Sequence, residues 1–127
     1  MRLLLDTHAF LWFVTGDRRM SRRARRAMEA PTAEMYVSAA SVWEMAIKAG
    51  LGRLQLPAPV SSYVQEKVGS GFRILPVEWT HAAAVESMPF HHRDPFDRLL
   101  AAQSVAERMP LVTGDPVFRS YGVDVVW

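Results

Sequence analysis

Short apolar runs alternate with longer amphipathic stretches along the whole chain. The short runs are typical of buried strands, and the stretches with apolar residues every three or four positions are typical of helices. The predicted strands are 2–5, 35–38, 73–77, 111–113 and 123–126. The predicted helical segments are 9–14, 22–30, 41–49, 60–68, 80–88, 95–109 and a turn at 116–121. This alternation predicts an α/β fold with a mostly parallel sheet of four to five strands, flanked by helices.

Length and composition agree with one folded domain. The chain has 127 residues, of which 50% are hydrophobic and 22% charged, a balance that excludes a disordered protein. No internal repeat or composition shift divides it, so we expect residues 1–127 to form a single domain. Cysteine is absent, so any metal ion must be held by carboxylate, histidine or main-chain oxygen ligands.

The apolar N-terminal run does not have the form of a secretory signal. Asp6 and His8 interrupt it, and no small-residue cleavage site follows. No other stretch approaches the roughly 18 to 20 apolar residues that a membrane span needs. We therefore expect a soluble protein of the cytoplasm that makes no membrane contact.

Basic residues are concentrated near the start of the chain. The net charge is only +2, but six arginines lie between positions 18 and 26. Arginine suits phosphate contacts, whereas a charge run taken alone is more often a solvated helix face. Arg98 has the alternative of a surface ion pair with its neighbour. The candidates for such phosphate contacts are Arg18, Arg19, Arg22, Arg23, Arg93 and Arg98.

Four acidic residues are placed where an α/β sheet carries its functional crevice, beyond the carboxyl ends of the strands. Asp6 and Asp115 follow predicted strands, and Asp97 lies in the first turn of a predicted helix. Glu44 stands among apolar residues, where a buried carboxylate requires a cation, a partner or an opening to water. Carboxylates grouped in this way repel one another unless a cation joins them, and oxygen ligands suit Mg²⁺ or Mn²⁺.

Each acid also has a purely structural interpretation. Asp6, Asp94 and Asp115 occupy positions where helix N-caps are expected, and the last two precede proline. Asp97 could favour the positive end of its helix. For Asp94 capping is the preferred interpretation, whereas for the other acids a site role stays open.

Histidine and aromatic residues are given structural roles first. His8 is expected at the surface or in a satisfied core position, with substrate contact as the alternative. His91 and His92 are adjacent and should diverge in direction, so no shared metal ion is expected. Four aromatic residues at helical spacing are assigned to the core or to a dimer interface: Trp12, Phe13, Trp43 and Phe96.

Four segments together carry a family resemblance. They are LLLDTHAFLW at 3–12, SAASVWEMAIKAGLGRL at 38–54, HHRDPFDRLLAAQS at 91–104 and LVTGDPVF at 111–118. In sequence, order and spacing they resemble the acidic segments of the PIN-domain ribonucleases, specifically the VapC toxins of toxin–antitoxin pairs.

The resemblance implies roles for particular residues. Asp6, Asp97 and Asp115 would be the principal metal ligands, and Glu44 would bind directly or through water. Thr113 would be a hydroxyl partner beside the site. Asp94 would remain a helix cap, or would contact one of the metal ligands without binding the ion itself. The family also implies a homodimer, an RNA substrate and a cognate antitoxin.

The function we expect is that of a Mg²⁺- or Mn²⁺-dependent endoribonuclease, in which the carboxylates hold the ion and a water attacks an RNA phosphodiester. Glu44 could assist as a base. Two other classes stay open. A phosphoacceptor signalling domain also gathers acids at the carboxyl edge of a parallel sheet, but it needs a lysine near the end of the chain, and this chain has only Lys48 and Lys67. A silent RNA- or protein-binding module would use the arginines but gain nothing from four carboxylates.

Overall fold

Five parallel strands form the centre of the protein. The computed structural model describes residues 1–127. The strands are β1 (Arg2–Leu5), β2 (Glu34–Ser38), β3 (Arg73–Leu75), β4 (Leu111–Val112) and β5 (Val125–Val126). Their order in the sheet is β3-β2-β1-β4-β5, and every pair is parallel. The predicted parallel α/β fold is confirmed.

Helices cover both faces of this sheet. The helices are α1 (Thr7–Thr15), α2 (Arg22–Glu29), α3 (Ala39–Gly50), α4 (Val60–Gly69), α5 (Trp79–Ala84) and α6 (Pro95–Glu107). Two 3₁₀ turns, Val85–Ser87 and Pro116–Tyr121, complete the helical segments. No helix is both long and apolar enough to span a bilayer.

The apolar run of β1 supplies both halves of the core. Leu3 and Leu5 point to one face, where they pack with Phe10 of α1, and Leu4 points to the other, where it packs with Leu100 of α6. Successive side chains of a strand alternate between faces, which is why a run without polar residues fits only a sheet covered on both sides. The central strand therefore anchors α1 and α6, the helices that flank the site.

Several predicted boundaries differ from the structure. β3 ends at Leu75, before Pro76, whose ring nitrogen has no hydrogen for the ladder. The predicted helix 80–88 is α5 followed by a 3₁₀ turn. α3 begins at Ala39 because the hydroxyl of Ser38 accepts the N–H of Ala40 at 3.0 Å and caps the helix.

Candidate active site

Acidic side chains from four separate segments meet at the carboxyl edge of the sheet. Asp6 follows β1, Glu44 lies in α3, Asp97 lies in the first turn of α6, and Asp115 follows β4. All four line one cavity of about 120 Å³. The structure thus brings together the four acids that the sequence analysis selected, while their role as ligands stays a prediction.

Asp6 is held at the base of the cavity. Its side chain is buried and accepts the N–H of Ala9 at 2.6 Å, which caps α1. Burial raises the pKa of Asp6 above its ordinary value, although hydrogen bonds from Thr113 and Ala9 oppose the rise. The hydroxyl of Thr113 also accepts the N–H of Asp115 at 3.1 Å. Thr113 therefore contacts the residues that follow both β1 and β4.

Asp97 has a strongly perturbed carboxyl group. Its pKa is raised to about 7, chiefly by burial and also by the charges of Asp94, Asp6 and Glu44, while the charge of His92 opposes the rise. This is the behaviour expected of carboxylates that are crowded together without a cation between them. A bound cation would favour the ionised form of Asp97.

Glu44 has partners for both carboxylate oxygens. The hydroxyl of Thr7 donates to Oε1 at 2.6 Å, and Nζ of Lys48 donates to Oε2 at 2.7 Å. Glu44 is buried among apolar residues, where a carboxylate requires a cation or another partner. Lys48, one helical turn further on, is that cation.

Asp94 and Asp115 are both helix caps in the structure. Asp94 accepts the N–H groups of Phe96 at 2.8 Å and Asp97 at 3.2 Å, as the preferred capping interpretation predicted. Asp115 accepts the N–H of Val117 at 3.0 Å at the start of the last 3₁₀ turn. Each keeps its place on the cavity wall, so capping and a role in the site are compatible here.

Sequence reasoning missed three residues of the site. Thr7 and Lys48 support Glu44, and His92 places Nε2 2.8 Å from Oδ2 of Asp97. The i,i+4 spacing of Glu44 and Lys48 was a usable signal. His92 was considered only as one of a metal-binding pair with His91. The two rings do diverge, since His91 is exposed and packs against Tyr121.

The prediction of a phosphate contact or a surface ion pair for Arg98 is wrong. Arg98 is buried, and its guanidinium donates to the main-chain oxygens of Pro89 at 2.9 Å, Val85 at 3.1 Å and Met88 at 3.2 Å. The side chain does not line the acidic cavity and instead holds the segment before α6. It has no free surface to offer to a nucleic acid.

The other candidate arginines remain at the surface. Arg18, Arg22, Arg23 and Arg93 are exposed. Arg19 donates to both carboxylate oxygens of Asp17, at 3.1 and 2.8 Å, and its guanidinium carbon lies 4.7 Å from the ring centre of Trp12.

A larger cavity opens beside the acidic one. It has a volume of about 430 Å³ and shares Asp6, His8 and Asp115 with the first. The remaining lining residues are Trp12, Arg19, Gly114 and Trp127. His8 is exposed and stacks on Trp12 with ring centres 5.4 Å apart.

The aromatic residues divide between core and surface. Phe13 packs at the edge of the core near Phe72. Trp43 is 62% exposed and makes an edge contact with Phe96 at 5.2 Å between ring centres. Trp43 is therefore not a core residue.

The fold and the site together define a class: parallel α/β proteins whose acidic side chains meet at the carboxyl edge of the sheet. Such a group of carboxylates is a candidate site for a hard divalent cation, and cations of this type are used in phosphoryl hydrolysis. The chain belongs to the PIN domain family, which matches residues 3–124. The resemblance carried by the four acidic segments is thereby confirmed.

Known relatives and solved structures agree with this assignment. The chain is 33% identical over 120 residues to Ribonuclease VapC22 of Mycobacterium tuberculosis, covering 94% of this chain and 91% of that protein. The fold is similar to that in the crystal structure of VapBC2 from Rickettsia felis bound to a DNA fragment from their promoter (TM-score 0.72, 14% identity, 98% of this chain and 97% of that chain). It is also similar to FitAcB from Neisseria gonorrhoeae (TM-score 0.62, 22% identity, 97% and 95%). At such identities the two structures show a shared fold.

Proposed function

We propose that this protein is a metal-dependent endoribonuclease and the toxin of a toxin–antitoxin pair. The observation that carries the proposal is the meeting of Asp6, Glu44, Asp97 and Asp115 in one cavity at the carboxyl edge of the sheet. The relative from Mycobacterium tuberculosis is named a ribonuclease, and the similarity extends over almost all of both chains. The whole chain, 1–127, would act as a single nuclease domain.

The residues of the cavity fit a divalent cation such as Mg²⁺ or Mn²⁺. Their donors are carboxylate oxygens, and the raised pKa values of Asp6 and Asp97 show that negative charge is unfavourable there without a cation. A cavity of about 120 Å³ has room for an ion with a few waters, because one water takes about 30 Å³. Asp6, Asp97 and Asp115 would hold the ion. Glu44 would act through water, because both its oxygens already have donors.

The ion, when bound, would polarise a phosphoryl oxygen and lower the pKa of a neighbouring water. The chain's own residues would arrange the site around it. Thr113 contacts both Asp6 and Asp115, and Lys48 pairs with Glu44 and places a positive charge on the cavity wall. Glu44 is accordingly better suited to holding a water in place than to removing its proton.

RNA would approach through the larger cavity. Arg19 lines this cavity together with Asp6 and Asp115; the exposed arginines near it in the sequence are Arg18, in the turn before α2, and Arg22 and Arg23, in the first turn of α2. Arginine side chains grouped in this way bind phosphates without reading sequence. We assign the orientation of the RNA backbone to these arginines, and Arg93 would contact it from the other side of the site.

The partners would be a cognate antitoxin and a second copy of the chain. The similar solved structures include VapBC and FitAcB proteins. The exposed apolar side chains Trp43 and Ile47 of α3, and Leu51 directly after the helix, follow one another at intervals of four residues. Contiguous exposed apolar surface of this kind marks protein interfaces. The cytoplasm is the location where such a protein would meet both RNA and an antitoxin.

Cleavage of a total RNA pool tests the proposal. Wild type, Asp6→Asn and the distant surface variant Asp124→Asn would each be assayed with Mg²⁺, Mn²⁺ or EDTA. We expect discrete fragments from wild type and Asp124→Asn only, and none in EDTA. Equal cleavage by Asp6→Asn, or cleavage that persists in EDTA, would contradict the proposal. A stable phosphoryl adduct with acetyl phosphate in place of cleavage would favour the phosphoacceptor class.

A further inference from the structure

The larger cavity beside the acidic one is lined by a distinctive set of side chains. Its wall holds three aromatic rings, one guanidinium, two carboxylates and a glycine, and no aliphatic side chain. The rings belong to His8, Trp12 and Trp127, and the guanidinium belongs to Arg19. A volume of about 430 Å³ lies within the range of clefts that bind small molecules. The cavity therefore suits a ligand group that is planar and polar rather than aliphatic.

The planar groups of this wall form one contiguous cluster around Trp12. The ring of His8 stacks on that of Trp12 with 5.4 Å between centres and 24° between planes, and the guanidinium carbon of Arg19 lies 4.7 Å from the Trp12 ring centre. The ring of Trp127 lies 6.0 Å from that of Trp12, at an angle of 56°. Both tryptophans are half-buried and also pack against the apolar core. The core position predicted for Trp12 thus accounts for only part of its surface.

Arg19 and Trp127 are held in place by further contacts. Arg19 donates to both carboxylate oxygens of Asp17, at 3.1 and 2.8 Å. The ring of Trp127 lies against Gly114, where a Cβ would come within 2.9 Å of the indole. Side chains that are fixed before binding lose little conformational entropy when a ligand arrives.

The place and the charges of the cavity favour a nucleobase as the group that enters it. Asp6 and Asp115 belong to both cavities, so a phosphodiester at the proposed cation site has its adjacent nucleoside within reach of this space. The two carboxylates on the wall repel an anionic group, whereas a nucleobase is neutral. Aromatic rings and guanidinium planes are the surfaces on which unpaired RNA bases stack.

We propose that this cavity is a subsite for one unpaired nucleobase next to the bond that is cut, with the base stacked on Trp127 and Trp12 and a neighbouring phosphate bound by Arg19. The inference rests on the proposed ribonuclease function and deepens it, because it makes single-stranded RNA the substrate class. Every base has a π-face, so the subsite selects unpaired over paired nucleotides rather than one base over another.

Fluorescence anisotropy with end-labelled oligonucleotides tests the subsite in EDTA, where the proposed reaction does not occur. The probes are single-stranded hexamers of adenylate and of uridylate, and a hexamer with the same number of phosphates from which all bases have been removed. We expect both base-bearing hexamers to bind wild type at least 5-fold and up to about 150-fold more tightly than the base-free one, the range typical of one stacked base. Equal affinities, or no binding of any hexamer, would overturn the inference and leave the cavity to a protein segment.

Substitutions separate the contact to the base from the contact to the phosphate. Trp127→Ala should weaken binding of the base-bearing hexamers about 5- to 150-fold, whereas Trp127→Phe, which keeps an aromatic ring, should retain most of the affinity. Trp79→Ala, which removes a 79% exposed ring outside both cavities, should equal wild type. Equal losses in Trp127→Ala and Trp127→Phe would refute the stacking role. The comparison of probes uses wild type alone, so it decides the question even if Trp127→Ala does not fold.

The salt dependence of binding gives a readout that a purely structural role of the tryptophan would not produce. Arg19→Ala should weaken binding of all three hexamers, and the slope of log K against log salt concentration should become shallower by about 0.7, as expected for one lost phosphate contact on a single strand. Trp127→Ala should leave this slope unchanged, because a base contact releases no counterions. A shallower slope in Trp127→Ala would contradict the assignment of the base to this ring.

Failure of the subsite and failure of the nuclease give different results. Binding with the predicted differences but no cleavage with Mg²⁺ or Mn²⁺ would support the subsite and count against the nuclease. Cleavage of RNA by wild type and Trp127→Ala with equal kcat/KM would overturn the subsite and leave the nuclease in place.

Discussion

Replacement of Asp97 by asparagine should stabilise the metal-free protein while it weakens metal binding. Asparagine has nearly the same shape as aspartate. The substitution therefore removes the charge and little else. Burial and neighbouring carboxylates raise the pKa of Asp97 from 3.8 to about 7, which means that the folded protein resists ionisation of this group.

The pH dependence of the effect follows from this shift. A carboxyl whose pKa is higher in the folded than in the unfolded state costs no stability below pH 3.8, and its full cost is reached above pH 7. A difference of about three between the folded and unfolded pKa values would correspond to about 4 kcal/mol in the free energy of unfolding. Since the side chain is 26% exposed, water screens the charge, and we expect about 1–2 kcal/mol. For a chain of this size that is a rise in Tm of roughly 3–10 °C.

Thermal unfolding in EDTA at pH 4 and pH 8 measures this difference. We expect Asp97→Asn and wild type to melt together at pH 4 and the variant to melt higher at pH 8. Saturating Mn²⁺ should reverse the order, because binding at 100 times Kd adds about 2.7 kcal/mol to the protein that holds the ion. Asp124→Asn, far from the site, should show neither effect. A variant less stable than wild type at pH 8 in EDTA would refute the electrostatic reasoning.

Three further substitutions test the packing around the site. Arg98→Met should lower the free energy of unfolding by about 2–4 kcal/mol in urea titrations, because three loop carbonyls lose a charged donor; a loss below about 0.5 kcal/mol would show that water replaces the guanidinium. Lys48→Met should lower the free energy of unfolding by about 1–2 kcal/mol, because Glu44 would be buried without its cation, and Mn²⁺ should restore part of this stability. An unchanged stability would mean that the hydrogen bond from Thr7 is enough to stabilise the buried Glu44. Gly114→Ala would place a Cβ 2.9 Å from the Trp127 ring, so tryptophan fluorescence should change and stability fall by about 1 kcal/mol; an unaltered spectrum would contradict this packing.

The sequence was informative about the fold because the strands are short apolar runs separated from one another by helical segments. The α/β architecture and the parallel sheet followed from that alternation. The boundaries of helices and strands were harder to predict. In β3, Pro76 ends the hydrogen-bond ladder although apolar residues continue to Val77. The strand order could not be derived, since it depends on packing between distant segments.

Two of the acids were predictable for the same reason, because Asp6 directly follows β1 and Asp115 comes shortly after β4. His92 and Arg98 were not. The position of His92 depends on a loop fixed by Tyr121, which lies 29 residues away in the sequence. The guanidinium of Arg98 donates to main-chain carbonyls, which every residue has, so the side-chain sequence gives no signal for this contact. The number of charged residues is also the same whether an arginine is buried or exposed.

Direct titration of the metal-free protein with Mn²⁺ is the most immediate test of the claim that these carboxylates form a cation site. The account predicts saturable binding to wild type and to Asp124→Asn, and loss of binding in Asp6→Asn and Asp115→Asn, with all four proteins folded. Equal binding by Asp6→Asn and wild type, or no binding by wild type at any accessible concentration, would contradict it.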